Sequence, residues 1–162
     1  MLVRKASLDR KFKQNEEAIL ACDEALEIEP NNYEAWNGKG IALENLEKYE
    51  QAIAAFDRAI EINPNYYKSW KNKGNVLDSL ERYEEAIAAY EKALEIQPDY
   101  YEAWNGKGIA LIKLERYEQA IAVSEKAIEI KPDDNYAWNN KGIALEYLER
   151  YEEAIPAYEK SI

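Results

Sequence analysis

Three kinds of side chain recur at fixed distances from each tryptophan, and together they have the chemistry to hold a peptide. One residue after Trp36, Trp70, Trp104 and Trp138 come Asn37, Lys71, Asn105 and Asn139. Five after come Ile41, Asn75, Ile109 and Ile143, and eight after come Glu44, Asp78, Ile112 and Glu146. Two before come Glu34, Lys68, Glu102 and Tyr136. An Asn amide both donates and accepts hydrogen bonds, as a peptide backbone does. The isoleucines suit apolar side chains, and the carboxylates favour basic ones. The spacings put these residues on one helix face, so helices stacked side by side would turn them into rows along a groove. A second reading stays open: the same residues are defaults of a repeat, partly buried between neighbouring helices.

Catalytic chemistry is scarce by comparison. The chain has no histidine and one cysteine, Cys22. It therefore lacks the commonest general base and any zinc or Cys–His motif. None of the serines has a base motif beside it. The GKG runs at Gly38–Gly40 and Gly106–Gly108 lie inside helical patterns rather than after a strand, which argues against a phosphate loop. The expectation is no enzyme, no cofactor and no metal.

Composition narrows the partners. The net charge of −11 repels nucleic-acid phosphates and anionic lipid heads. Basic residues gather only at the start, as Arg4, Lys5, Arg10, Lys11 and Lys13 against Asp9, and read as a solvated helix face. No apolar stretch approaches the roughly 18 residues a membrane span needs, and no signal peptide is expected. A single cysteine allows no intrachain disulfide, so the cytoplasm is the expected compartment. Cys22 falls where later segments carry Phe56, Tyr90, Ser124 and Tyr158, an inward position where packing is expected.

The elements that must position these residues repeat strictly. Pro30, Pro64, Pro98 and Pro132 are 34 residues apart, and Gly40, Gly74, Gly108 and Gly142 keep the same interval. A fixed period of this length means an array of supersecondary units. In residues 33–66, Trp36, Gly40, Leu43 and Leu46 form one helical stripe, and Ala52, Ile53, Phe56, Ala59 and Ile60 a second. The polar link Glu47-Lys48-Tyr49 joins them, which predicts two antiparallel helices closed by Pro64. Asn31, Asn65, Asp99 and Asp133 are candidate N-caps. Glycine inside a helix is destabilising by roughly 0.5–1 kcal/mol against Ala. Its return in every unit therefore predicts a contact with no room for a Cβ.

The pattern Trp36, Gly40, Ala52, Phe56, Ala59 and Pro64, reproduced down the chain, closely resembles the tetratricopeptide repeat family. Departures are Lys39, Lys73, Lys107 and Lys141, where the family often has Leu, and Leu43, Leu77 and Leu111, where Tyr is common. The resemblance implies an all-α superhelix (a solenoid of antiparallel helix pairs), with first helices lining a concave groove. It further implies a scaffold that binds a protein or peptide there. In the family's carboxylate-clamp subtype, Lys71 and Asn75 would match the first pair. The later clamp positions meet Gly106, Tyr136 and Asn140 instead, which argues against a clamp.

The expected organisation is a degraded repeat over 1–32, repeats at 33–66, 67–100 and 101–134, and an unfinished one at 135–162. In the first, Leu2, Ala6, Asp9 and Asn15 replace Trp, Gly, Leu and Tyr, leaving its first helix doubtful. Repeats 33–66 and 101–134 are nearly alike, as in a duplicated two-repeat block. The last stretch stops inside its second helix, where Pro156 removes a backbone donor and threatens a kink. Solenoids need polar caps, so the alternatives are self-association through the terminal repeats or an accessory module of a larger protein.

Overall fold

The computed structural model describes the backbone of residues 2–162 and the side chains of residues 11–162. The described residues form nine helices and no strand. After α1 (Leu2–Ile28), each repeat gives a first and a second helix. These are α2 (Tyr33–Asn45) and α3 (Tyr49–Ile62), then α4 (Tyr67–Ser79) and α5 (Tyr83–Ile96). They continue as α6 (Tyr101–Lys113) and α7 (Tyr117–Ile130), then α8 (Asn135–Tyr147) and α9 (Tyr151–Glu159).

The tight turn inside each repeat is a helix stop written in three residues. The Glu47 N–H donates to the Glu44 carbonyl at 2.8 Å, and the Lys48 N–H to that of Leu43 at 2.9 Å. This C-terminal closure needs a left-handed residue. Glu47, Glu81, Glu115 and Glu149 supply it, with φ of 58–59°.

The first segment departs from the expected helix pair: its residues 2–28 form the single helix α1, with no turn between Leu2 and Ile28. The turn positions here hold Phe12, Lys13, Gln14 and Asn15, all helical. Where the repeats tuck Leu46 and Tyr49 partly into the turn, Phe12 is exposed and Asn15 is polar. Asn15 Nδ2 donates to the Lys11 carbonyl at 2.9 Å, and Asn45 reaches across to Asn15 at 3.1 Å. With no apolar anchor to draw the chain out, the helical ladder continues. The side chains of Leu2, Arg4, Lys5, Ala6, Asp9 and Arg10 lie outside the described residues.

The helices divide into two compact units, Met1–Val76 and Leu77–Ile162. In the first, α1 packs on α2 and α2 on α3. Phe56, Ala52 and Ala59 are fully buried. A Cβ built on Gly40 would stand 2.5 Å from the Phe56 ring, so this glycine is the space the ring occupies. In the second unit α5 to α9 pack in sequence, and α6 also touches α8 directly. Its core gathers Leu111, Ile121, Val123 and Leu145. Gly142 repeats the Gly40 arrangement against Tyr158 at 2.7 Å. Gly108 does not: its Cβ would make ordinary contacts, with Val123 at 3.4 Å, Ser124 at 3.5 Å and Asn140 at 3.6 Å. Here the pair Val123-Ser124 replaces the Ala-aromatic pair of the other repeats, so the bulk has moved by one residue.

Two periodic devices tie the repeats together. Each indole N–H donates to the carbonyl of the proline six residues earlier, Trp36 to Pro30 at 3.0 Å and Trp138 to Pro132 at 2.8 Å. Each departing lysine crosses to the previous second helix, or to α1. Lys39 meets Asp23 at 2.6 Å, Lys73 meets Asp57 at 2.6 Å, Lys107 meets Glu91 at 2.8 Å and Lys141 meets Glu125 at 2.7 Å. The same ammonium lies over the tryptophan of its own helix, 5.4 Å from the Trp36 centroid in the first case. Partly exposed pairs of this kind contribute about 0–1 kcal/mol each, so they fix register more than they add stability.

Candidate functional site

The first helices carry the candidate residues, and each unit disposes of them differently. In the first unit Asn37 is buried. Its Oδ1 accepts from Ser69 Oγ at 3.0 Å and from Asn72 Nδ2 at 3.1 Å, both on α4. That joins α2 to α4 and occupies the side-chain oxygen. Lys71 and Asn75 are half-buried and engaged with neighbouring groups. Ile41 is exposed. Burial raises the pKa of the half-buried Glu44, and Lys71 opposes the shift.

Asn105 is also buried in the second unit, but its side-chain oxygen has no hydrogen-bond partner among the described residues. It donates through Nδ2 to Asp134, and its backbone carbonyl accepts from Asn140 Nδ2 at 3.4 Å. Asp134 also caps α8, accepting from the Tyr136 N–H at 3.3 Å. Asn37 and Asn105, expected on the groove face, are buried between helices instead. They are inter-helix latches, because the next first helix sets polar partners directly against them. Asn72 and Asn140, which reach back to the two latches, were not singled out. Their signal was available, since that position alternates Gly38, Asn72, Gly106, Asn140.

A separation of latch from ligand contact can be measured. Asn37→Ala strands the Ser69 and Asn72 donors and should cost about 1–3 kcal/mol in urea unfolding. Asn139→Ala, at an exposed position, should stay within about 0.5 kcal/mol. Equal effects would undo the assignment.

The isoleucines do come together. Ile109 and Ile112 of α6 and Ile143 of α8 line a hollow of about 420 Å³. Tyr117 and Tyr147 wall it, with Lys113, Glu115 and Asn140 completing the lining. The two tyrosine rings are parallel, with centroids 4.8 Å apart and 3° between planes. Against α8 and the start of α9 lies a second hollow of about 580 Å³, lined by Ile143, Glu146, Tyr147, Glu149 and Tyr151. Ile143 and Tyr147 belong to both and form the wall between them. Asn139 lines neither.

The carboxylates are partly committed. Glu146 accepts from the Tyr158 hydroxyl at 2.6 Å. Burial, then this bond, push the Tyr158 phenol up to about 12. Burial also raises the pKa of Asp78, against the pull of Lys113. One Asp78 oxygen is shut from solvent with no hydrogen-bond partner among the described residues. Tyr147 was missed because its position holds Asn45, Ser79 and Lys113 elsewhere, with no period to mark it.

A tetratricopeptide repeat profile matches residues 33–66 and 67–100, and a second one matches residues 99–162. Residues 15–46 match the protein prenyltransferase alpha subunit repeat. Among solved structures, MamA (residue 41 to its end) from Desulfovibrio magneticus is similar at 25% identity and a TM-score of 0.83. The match covers 98% of this chain and 91% of that one. A second MamA crystal structure matches at 23% identity and 0.84, over 94% of this chain and 89% of that one. YrrB, described as a TPR protein with an unusual peptide-binding site, matches at 25% identity and 0.76, over 97% and 81%. No curated protein matches the chain. No helix of the described residues is long and apolar enough to cross a membrane.

Proposed function

This chain belongs to the tetratricopeptide repeat family, and from that premise we propose that it is a non-enzymatic scaffold holding an extended segment of a protein partner. The segment lies against the exposed face of the first helices, in a cytoplasmic setting. Proteins of this family bind protein or peptide partners, and the similar YrrB is described by its peptide-binding site. The observation that carries the reading for this chain is the α6–α8 hollow. Three aliphatic side chains from two adjacent first helices meet there around about 420 Å³, enough for an apolar side chain. The lining adds charged groups in Lys113 and Glu115. Steering by the net charge of −11 favours basic partners over acidic ones.

Selection from a random peptide library displayed on phage tests this. The wild-type chain should enrich a family of sequences, and Ile109→Ala/Ile143→Ala should lose most of that enrichment. Failure to enrich anything, or enrichment indifferent to the double variant, would reject the site. Sedimentation velocity over a concentration series separates this reading from self-association. A mass independent of concentration is expected.

A further inference from the structure

We propose that α8 and the start of α9 form a subsite for a cationic side chain, Lys or Arg, of the bound segment, beside the aliphatic subsite between α6 and α8. The inference rests on the first-helix face being a peptide site and adds what the peptide must carry, and where.

Tyr147 is the centre of the argument. One face of its ring stacks on Tyr117, yet the residue is 63% exposed, so the other face is open. A ring face is the negative pole of the aromatic quadrupole and attracts a cation. The hollow bounded by Tyr147 also holds the carboxylates of Glu146 and Glu149 and a second tyrosine, Tyr151, 56% exposed. The Tyr158 hydroxyl holds the Glu146 carboxylate in place at 2.6 Å. No Lys or Arg lines this hollow. Three cations around α8 and α9 have partners of their own, and Lys113 stands in the adjoining hollow. Arg150 makes two bonds of 2.7 Å to Glu153, Lys141 pairs with Glu125, and Lys160 sits 4.3 Å from the Trp138 centroid. Two carboxylates and two phenol rings thus face a space that none of these cations fills.

The neighbouring hollow is different in kind, with three isoleucines and one charge of each sign. It shares Ile143 and Tyr147 with the first, so one ligand chain can enter both. Neighbouring helices lie about 8–10 Å apart and an extended chain advances about 3.3 Å per residue. The aliphatic and basic side chains should therefore be two or three residues apart.

The test sequences the peptide pools selected by wild type, Tyr147→Lys, Tyr147→Phe and Glu146→Gln/Glu149→Gln, with a thermal melt confirming that each variant folds. Wild-type pools should pair an aliphatic residue with Arg or Lys at a spacing of two or three. Tyr147→Lys should lower the enrichment of that basic residue by about three- to tenfold, and the double Gln variant, at two residues that line the cationic hollow and not the aliphatic one, should lower it too while keeping the aliphatic residue. Tyr147→Phe, which keeps the ring face, should keep the preference. Pools without a basic residue, or a preference that survives Tyr147→Lys, overturn the cationic subsite and leave the aliphatic site standing. Pools with no consensus overturn both readings.

Discussion

Phe56→Ala should destabilise the first unit by about 3–5 kcal/mol, the range for emptying a fully buried aromatic site. The ring is completely buried and lies against Gly40, where even a Cβ would approach to 2.5 Å. Gly40→Ala should by itself be destabilising by about 1–3 kcal/mol, because a buried ring cannot swing aside as a flexible chain end can. The two changes should not add. The methyl of Gly40→Ala enters space that Phe56→Ala vacates, so the double variant should fall short of the sum by at least about 0.5 kcal/mol. Gly108→Ala is the internal control. Its Cβ meets only ordinary contacts, so removing a helical glycine should stabilise by about 0.5–1 kcal/mol. Urea unfolding followed by circular dichroism reads all four. Additivity at Gly40 and Phe56, or a loss at Gly108, would refute the packing argument.

Pro156→Ala should stabilise the last repeat by about 2–3 kcal/mol. Pro156 lies inside α9, where its missing N–H leaves the Glu152 carbonyl without its helical donor. Proline in a helix interior is about 3 kcal/mol less favourable than Ala. The same position elsewhere is Ala54, Ala88 and Ala122, so the substitution restores the repeat's own residue. Pro156 is exposed, and no packing is lost. In an array whose repeats contribute separately, the gain should be local. Hydrogen–deuterium exchange should slow in α8 and α9 and stay unchanged in α2 and α3. A uniform change, or none, would mean that α9 accommodates the proline without strain.

Much of the fold was legible because its determinants are local and repeat. Trp36, Gly40 and Leu43 at helical spacing, and Pro64 beyond the end of α3, each act within a few residues of their own position. The lysines from Lys39 to Lys141 looked like departures from the family pattern. They became intelligible only with Asp23, Asp57, Glu91 and Glu125 facing them. The site was less legible. Asn37, Asn105 and Asn139 share a position relative to tryptophan, yet two are buried latches and one is exposed. Beside Gly108 the bulk sits on Val123, one residue before Ser124, and only the packing shows it.

The sequence by itself determined that the chain is helical, where the repeats from residue 33 onward turn and which faces are apolar. Those properties follow from backbone preference and periodicity along one chain segment. Only the tertiary structure decided that α1 runs unbroken, that the Asn37 and Asn105 amides are buried between helices, and that Ile109, Ile112 and Ile143 converge beside the Tyr117–Tyr147 stack. In each case the outcome depends on what a neighbouring element places opposite. A packed helix can bury one asparagine against Ser69 and Asn72 and leave another in solvent, and no spacing within a single repeat records the difference.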